Sequence, residues 1–286
     1  MSKIKILSWN VEHFKSDKQD EIAQIIKNYD PDIFGIYEVE AASVYEFIKT
    51  HFPKYSVFIT EGQQNQEILV ACKNKSQYIG IKFQQKEKFK SGNPRLRPGA
   101  FLTFEYSQKG QYNFLFLHTD SGTSAIDFGN RTEMFDHAYN LKRKLDFDSE
   151  SKVNFVVLGD LNTMGLYYPR PYKSNTIVET PNELAYLDFH ANRNSGSKGY
   201  KKLKPGLKRL SKPAGTYYSK TYGISDLDHI IASDHLKFVK QSNYGETEKH
   251  EIKLDGWRQH IENQDEMDNY VEEISDHCLL YCEIKV

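Results

Sequence analysis

Short apolar runs alternate with polar segments in the N-terminal part of the chain. Residues 3–9 and 32–37 are apolar runs of the length that forms buried strands, and a polar residue follows each of them closely. Residues 19–29 and 41–48 instead carry apolar side chains at the three- and four-residue spacing of an amphipathic helix. The pattern therefore predicts strand, helix, strand, helix.

The middle of the chain changes to a run of strands, predicted at residues 56–60, 68–72, 78–83, 101–106 and 112–117. A helix over residues 130–147 and a buried strand over 153–158 follow, and two late strands are predicted at 227–232 and 278–284. This order is typical of a mixed α/β domain with substantial antiparallel pairing. Because no repeat or Ser/Pro-rich linker divides residues 1–286, we expect a single domain.

Two polar stretches do not fit this pattern of regular elements. Residues 163–220 are rich in Tyr, Asn, Gly, Ser and Lys, and residues 240–274 are acidic and mostly polar. Long connections inside a compact domain are often functional. We predict neither helix nor strand for these two stretches.

Polar side chains gather where the predicted strands begin or end: Asn10, Glu38, Asp160, Asn162, Asp276 and His277. Carboxylate and amide oxygens are the ligands that Mg²⁺ prefers. Hydrolysis of a phosphate ester needs compensated charge, an oriented water and a stabilised leaving oxygen. Taken singly, each residue has an ordinary explanation, since Asn10 could end a strand and His118 could be a core histidine. Their joint occurrence favours metal-assisted attack of water on a phosphate ester.

Six short motifs follow one another along the chain, each at the end of a predicted strand. They are Ser8-Trp9-Asn10-Val11-Glu12, Ile36-Tyr37-Glu38-Val39, Leu117-His118-Thr119, Gly159-Asp160-Leu161-Asn162, Leu227-Asp228-His229-Ile230-Ile231 and Ser275-Asp276-His277. In this order they resemble the motifs of the endonuclease/exonuclease/phosphatase superfamily, and the resemblance covers nearly the whole chain. It implies a four-layer α/β sandwich with two central mixed β-sheets and an active site at one edge.

The resemblance also implies a divalent metal ion, Mg²⁺ or Mn²⁺. By matching motif, Asn10, Glu38 and Asp276 are expected at the metal. The chain is then expected to be a metal-dependent phosphodiesterase that directs a water molecule in line at the phosphorus atom.

The remaining motif residues are expected around the scissile phosphate. Asp160 and Asn162 would orient the water and contact the phosphate, and Asp228 would orient a histidine. His277 would bind or activate at the phosphate. His118 matches the histidine that deoxyribonuclease- and sphingomyelinase-like members use as an acid or phosphate contact.

The distribution of charge bears on the substrate, although the net charge is only −1. Residues 189–225 contain no Asp or Glu, and this basic loop includes Lys201, Lys202 and Lys204. It could follow a nucleic-acid backbone, but a solvated lysine-rich loop is an equal alternative. Candidate substrate contacts outside the loop are Tyr168, Arg170 and Arg131, and Arg95 and Arg97 could extend the basic rim. Residues 246–273, in contrast, contain ten acidic side chains that would repel DNA if they faced it.

The leading hypothesis is a nuclease that acts on DNA or RNA. A phosphatase or phosphodiesterase for a small or lipid phosphate, such as a phosphoinositide or sphingomyelin, is the alternative, and a non-catalytic binding module with the same fold is the third. The three cysteines show no metal-ligand spacing, and the N-terminus lacks the apolar stretch of a signal peptide. We therefore expect a cytoplasmic protein without stable membrane association, and the family resemblance implies a monomer.

Overall fold

The computed structural model describes residues 2–14, 18–40, 42–63, 66–107, 109–165 and 206–286. The strands within this part of the chain are β1 (Lys3–Asn10), β2 (Ile33–Val39), β3 (Tyr55–Ile59), β4 (Glu67–Lys73), β5 (Tyr78–Lys86), β6 (Gly99–Tyr106), β7 (Gly110–His118), β8 (Asn154–Asp160), β9 (Leu207–Arg209), β10 (Tyr217–Ser219), β11 (Gly223–Ser225), β12 (Asp228–Ser233), β13 (Lys253–Asp255) and β14 (Leu279–Lys285). The α-helices are α1 (Gln19–Tyr29), α2 (Ala42–His51), α3 (Ala125–Asp148) and α4 (Gln264–Glu273).

Two six-stranded sheets contain most of these strands. The first sheet has the order β13-β14-β1-β2-β4-β3, and the second has the order β5-β6-β7-β8-β12-β9. Each sheet contains one parallel pair, β1 with β2 and β7 with β8, whereas its other neighbours are antiparallel. Strands β10 and β11 form a separate hairpin. Both sheets are therefore mixed, as predicted.

Three apolar clusters separate four layers. The central cluster joins both sheets, with Ile6 and Val70 from the first sheet and Phe114 and Leu158 from the second. A second cluster packs α1 and α2 against the outer face of the first sheet, and a third packs α3 against the outer face of the second. This arrangement confirms the four-layer α/β sandwich.

The topology brings the carboxyl ends of four strands to one edge of the sandwich. Strands β1 and β2 run parallel and end there at Asn10 and Val39, and β7 and β8 end there at His118 and Asp160. Strand β12 is antiparallel to β8, so its first residue, Asp228, lies opposite Asp160. Parallel strands that end together place their polar C-terminal residues side by side, which is why distant motifs meet.

The prediction that residues 240–274 contain neither helix nor strand is wrong. This stretch contains β13, a 3₁₀ turn at Trp257–His260, and α4. Met267, Tyr270, Val271 and Ile274 follow the helical spacing and contribute to the apolar packing. Five acidic side chains in α4 obscured this spacing. Part of the other stretch is also regular, since β9 and β10 lie within it.

Helix α3 begins five residues before the predicted start. Ser124 caps it, with its hydroxyl accepting from the Asp127 amide while the Asp127 carboxylate accepts from the Ser124 amide. This reciprocal capping box satisfies two amide groups that the helix itself leaves unpaired. Within the described residues no helix has both the length and the apolarity needed to cross a bilayer.

A buried ion pair lies on α3. The Lys142 ammonium lies 2.5 Å from the Asp146 carboxylate, and the side chains of the two residues are almost fully buried. Asp146 also accepts the Val153 amide at 2.9 Å, so the pair anchors the connection from α3 to β8. A buried carboxylate left without its cation is strongly destabilising.

We expect Lys142→Met to lower the free energy of unfolding by about 3 kcal/mol, because the Asp146 charge would then be buried without compensation. Urea denaturation measures the change. The control Lys109→Met alters an exposed lysine and should stay within about 0.5 kcal/mol of the parent. Equal stability of the two variants would contradict the assigned role of the pair.

Candidate active site

The amide of Asn10 is the centre of the polar cluster at this edge. It is fully buried, and its Nδ2 donates to Glu38 Oε1 and to Asp160 Oδ2, both at 3.0 Å. The same nitrogen lies 3.4 Å from His277 Nε2. Asn10 Oδ1 accepts the Glu12 amide at 3.1 Å, which fixes the orientation of the side-chain amide. One side chain therefore joins motifs from the two sheets and the C-terminal part of the chain.

A β-bulge presents Glu38 to the cluster. The pairing of β2 with β4 shifts between Ile36 and Val39, so that Tyr37 and Glu38 together face a single residue of β4. Glu38 has a φ of 61°, a left-handed conformation that is costly for a residue with a side chain. Such bulges redirect side chains near active sites. Here the bulge lets Tyr37 enter the core while Glu38 reaches Asn10.

The glycine before Asp160 is required by the close approach of β7. Gly159 has a φ of 144°, and a Cβ atom there would lie 1.9 Å from the Leu117 carbonyl oxygen. After the strand, the Asn162 amide donates to Asp160 Oδ1 at 3.1 Å, and Asn162 Nδ2 donates to the Thr119 carbonyl at 3.1 Å. Asn162 adopts a φ of 44°, which asparagine tolerates better than most residues. The loop is thus fixed on both sides.

His277 forms a buried pair with Asp228. His277 Nδ1 lies 2.8 Å from Asp228 Oδ2, and Nε2 points toward Asp160 Oδ2 at 3.7 Å. Burial opposes protonation, but the carboxylates of Asp228 and Asp160 outweigh it and raise the pKa of the His277 imidazole above its ordinary value. His277 is therefore a cation at neutral pH, held between two carboxylates.

Two hydroxyl groups, to which the sequence assigned no role, hold this pair in place. Thr216 Oγ1 accepts the Asp228 amide at 2.9 Å, and Ser275 Oγ accepts the His277 amide at 3.0 Å. Ser275 Oγ also donates to the Asn10 carbonyl at 2.7 Å. Both residues are fully buried. Their signal in the sequence is weak, because only Ser275 adjoins a recognised motif.

His118 completes one of two clusters with the composition of a metal site. Its Nε2 lies 3.7 Å from Glu38 Oε1 and 3.5 Å from Asp160 Oδ2. Ligand atoms of Glu38, His118 and Asp160 lie within 4.8 Å of one another, and so do those of Asp160, Asp228 and His277. Burial lowers the pKa of His118 well below its ordinary value, and nearby Arg97 and His277 lower it further. His118 is thus a neutral imidazole with a free electron pair.

Asp276 lies at the rim of the cluster. Its Oδ1 is 3.8 Å from His277 Nε2, and this buried oxygen has no hydrogen-bond donor among the described residues. Burial raises the pKa of Asp276 to about 6, despite the opposing effect of His277. Burial likewise raises the pKa of Asp160, with Asp228 adding to it and His277 opposing it. A bound cation would stabilise the ionised forms of these two carboxylates.

The composition of the cluster fits a hard divalent cation. Glu38, Asp160 and Asp276 provide carboxylate oxygens, and Asn10 and His118 lie among them. Mg²⁺ favours such oxygen ligands, and Mn²⁺ also accepts them. Asp276 Oδ1 has no hydrogen-bond donor among the described residues, which leaves this oxygen available to a cation.

The structure does not bring Arg131 into this cluster. Its guanidinium is fully buried and donates to the carbonyls of Asp120, Gly122 and Gly165, at 3.2, 2.6 and 2.8 Å. These contacts hold together the two loops that follow β7 and β8. Arg131 therefore stabilises these two loops without belonging to the polar cluster.

Arg97 lies beside the cluster, although the sequence suggested only an exposed rim. It is 8% exposed, and it donates to the Gln66 side chain. The carboxylates of Glu38 and Asp160 act on its charge, although burial has the larger effect and lowers its pKa. Arg97 therefore adds a buried positive charge near the carboxylates, which its position in a polar turn did not reveal.

The charged stretches are partly neutralised within the fold. Lys208 pairs with Glu251 at 2.8 Å, Arg258 pairs with Glu246 at 2.8 Å, and Lys212 pairs with Asp226. Several acidic side chains of the C-terminal stretch thus meet basic partners, so their charge is not all available to repel DNA. The predicted contacts Tyr168, Arg170, Lys201, Lys202 and Lys204 lie outside the described residues.

Comparison with known proteins agrees with the fold and the motifs. The profile of the Endonuclease/Exonuclease/phosphatase family matches residues 7–277. A search of curated protein sequences found no significant match.

Similar solved structures extend over the full chain. Truncated TDP2 of Caenorhabditis elegans is 14% identical with a TM-score of 0.63, and the alignment covers 99% of this chain and 98% of that one. TDP2 of D. rerio, complexed with single strand DNA product, is 13% identical with a TM-score of 0.64 and full coverage of both chains. The human Nocturnin catalytic domain, with bound sulfate anion, is 15% identical with a TM-score of 0.57, covering 99% and 97%. At these identities the likeness establishes the fold.

Metal affinity should depend on pH in a direction set by the raised carboxyl pKa values. Below about pH 6 Asp276 must release a proton on binding, and Asp160 adds to this competition. We expect Mn²⁺ to bind at least about tenfold more weakly at pH 5.5 than at pH 8, measured by isothermal titration calorimetry. Asp276→Asn should bind more weakly with a shallower pH dependence. Affinity that does not change with pH would contradict this arrangement.

Proposed function

Because the chain belongs to the Endonuclease/Exonuclease/phosphatase family, we propose that it is a metal-dependent nuclease that hydrolyses phosphodiester bonds of DNA or RNA. Members of this family hydrolyse phosphate esters, and this chain is an enzyme of that class. Beyond this enzyme class, we propose that the substrate is a nucleic acid and that the metal ion is Mg²⁺ or Mn²⁺.

The observation that carries the proposal is the convergence of six motif side chains at one edge between the two sheets. They are Asn10, Glu38, His118, Asp160, Asp228 and His277. Purely structural ion pairs rarely combine a strained strand end, two histidines and three carboxylates. Perturbed pKa values cluster at functional sites, and they do so here.

Asp160 would orient the attacking water and accept its proton. Its Oδ1 is held by the Asn162 amide and its Oδ2 by Asn10, so both oxygens have fixed directions. Loss of its own proton is made easier by His277, the nearest cation. Asn162 can turn its remaining amide hydrogen toward a phosphate oxygen while its other hydrogen stays on the Thr119 carbonyl.

His277 supplies positive charge where the phosphate develops negative charge. Asp228 holds the imidazole through Nδ1, which leaves the Nε2–H group directed into the site. Preorganised charge of this kind stabilises a transition state without reorganisation. His118, a neutral imidazole whose Nε2 lies 3.5 Å from Asp160 Oδ2, would contact the phosphate or the leaving oxygen.

Glu38, Asp276 and Asn10 would hold a Mg²⁺ or Mn²⁺ ion, with His118 and Asp160 beside it. Such an ion compensates the charge of the non-bridging oxygens and stabilises the leaving oxygen. The bulge at Glu38 and the hydrogen bonds to Asn10 preorganise these ligands.

Exposed apolar side chains next to the site support a nucleic-acid substrate. The β10–β11 hairpin adjoins the cluster, because the Tyr217 ring lies 5.0 Å from the His277 ring. Beyond it, Tyr222 is 84% exposed and Ile224 is 47% exposed. Exposed aromatic rings beside a phosphodiesterase site can stack on nucleobases. The D. rerio TDP2 structure, which shares this fold, contains a single strand DNA product.

The basic loop belongs to the same proposal. Lys201, Lys202 and Lys204, together with Tyr168 and Arg170, would contact the substrate as the sequence suggests. Arg131 would act indirectly, through the loop carbonyls that it holds.

Asp160→Asn should reduce cleavage of single-stranded DNA by at least about 100-fold in the presence of Mg²⁺ or Mn²⁺, because the water loses its proton acceptor. Gel analysis of a labelled oligonucleotide measures the rate. Asp234→Asn, which neutralises an exposed carboxylate paired with Lys152, should leave the rate unchanged. Cleavage by the Asp160 variant at the parental rate would contradict the role of Asp160 as proton acceptor.

Tyr222→Ala should raise the KM for single-stranded DNA at least about fivefold, since stacking on one base contributes roughly 1–3 kcal/mol. Hydrolysis of bis(p-nitrophenyl) phosphate should not change, because Tyr222 lies at the turn of the hairpin, whereas the end with Tyr217 adjoins the cluster. Tyr244→Ala removes a half-exposed tyrosine elsewhere and serves as the control. If the parent enzyme hydrolyses only inositol phosphates or other small esters, the phosphatase alternative replaces the nuclease.

A further inference from the structure

A groove separates the end of β5 from the outer face of α3, away from the catalytic cluster. Its volume is about 740 Å³. Residues on its walls include Lys86, Lys88, Phe89, His137, Leu141 and Lys144. Phe89 is buried and packs in the cluster beneath α3, so the base of the groove is fixed by the core. The catalytic mechanism uses none of these side chains.

The groove carries an excess of positive charge. Lys86, Lys88 and Lys144 line it, and Arg143 lies on the helix side. The carboxylate among the lining residues, Glu87, is already paired with Lys90 at 2.7 Å.

The lysines are close enough to affect one another. Burial lowers the pKa of Lys86, and the Lys144 ammonium lowers it further. Lys86 also lies over the Phe101 ring at 5.0 Å and donates to Gln84 at 2.6 Å, so its ammonium is held rather than freely solvated. An anion in the groove would relieve this repulsion.

The register of the second sheet connects the groove to the catalytic edge. Lys86 pairs with Gly99, and Ala100 pairs with Phe116, which places Gly99 opposite Leu117. Leu117 precedes His118, a member of the catalytic cluster. The backbone at Lys86 is therefore two strand spacings, about 10 Å, from the backbone beside His118.

We propose that this groove binds the sugar–phosphate backbone of the nucleic-acid strand outside the scissile phosphate. The inference rests on the proposed nuclease function and adds to it a second contact region with its own residues. A strand that leaves the catalytic cluster along the edge of β7 and β6 reaches the lysines within a few nucleotides. Arg97, two residues before β6, is a buried cation close enough for the carboxylates of Glu38 and Asp160 to act on its charge.

The test compares a groove variant with a matched control in the full chain. Lys86→Gln/Lys144→Gln removes two groove charges, and Lys54→Gln/Lys109→Gln removes two exposed charges at the opposite end of the sheets. For each protein, KM for a labelled single-stranded oligonucleotide is measured over a range of NaCl concentrations. Hydrolysis of bis(p-nitrophenyl) phosphate is measured in parallel.

The groove variant should show a higher KM for the oligonucleotide, and the slope of log KM against log salt should fall by about 1.4, or about 0.7 for each lost contact. Its kcat and its hydrolysis of the small diester should match the parent, as should all values of the control. An unchanged slope with intact parental cleavage would overturn the groove alone, and so would an equal loss in the control. A parent that neither binds nor cleaves the oligonucleotide would overturn both the groove and the nuclease function.

Discussion

The Asn10 amide is the connection on which the arrangement of the site depends. It lies on the first sheet and donates to Asp160 on the second, while it also holds Glu38 on its own sheet. A further bond joins the same two sheets, from the Tyr37 hydroxyl to the Leu158 carbonyl, and the Trp9 indole holds the His277 carbonyl beside the first sheet. The same hydrogen bonds therefore fix both the packing of the two sheets and the positions of the catalytic groups. A shift of either sheet would break bonds that are buried and expensive to lose.

Much of this arrangement could be predicted, because the chemistry lies at strand ends. Apolar runs locate the strands, and parallel strands that end at one edge bring their last residues together. Asn10, Glu38 and Asp160 are found in this way, whereas His118 was assigned through the motif resemblance. The direction of the Glu38 side chain was not predicted, because it results from a bulge and a left-handed φ that no residue pattern announces. The motif resemblance supplied what the pattern of polarity could not.

Residues that act through tertiary contacts escaped prediction for a common reason. Arg131 and Arg97 are charged residues in polar surroundings of the sequence, so exposure was the natural expectation, yet both are buried. Their environment is formed by loops from distant parts of the chain. Helix α4 was missed for the opposite reason, because its acidic residues obscured a regular apolar spacing. The number of charged residues in a sequence does not show how many of them form ion pairs after folding.

The site concentrates costly features that stability alone would not favour. The Asp160 and Asp228 carboxylates and a histidine cation are withdrawn from water, and Glu38 and Asn162 adopt left-handed conformations. Purely structural ion clusters of this size are often no more stable than apolar replacements. Their arrangement becomes reasonable when a cation and a phosphate complete the charge balance, as the unpartnered Asp276 oxygen suggests.

The surroundings of the site are consistent with the polymeric substrate that we propose. The β10–β11 hairpin is bridged to His277 on one side of the catalytic strands, and the basic groove lies beside β5 on the other. A small phosphate ester needs only the central cluster, whereas an extended strand that crosses the edge passes both an exposed aromatic ring and a row of lysines. Because stacking and backbone contacts are the two elements of sequence-tolerant binding to single strands, their placement on opposite sides of one hydrolytic centre supports the nucleic-acid substrate that we propose.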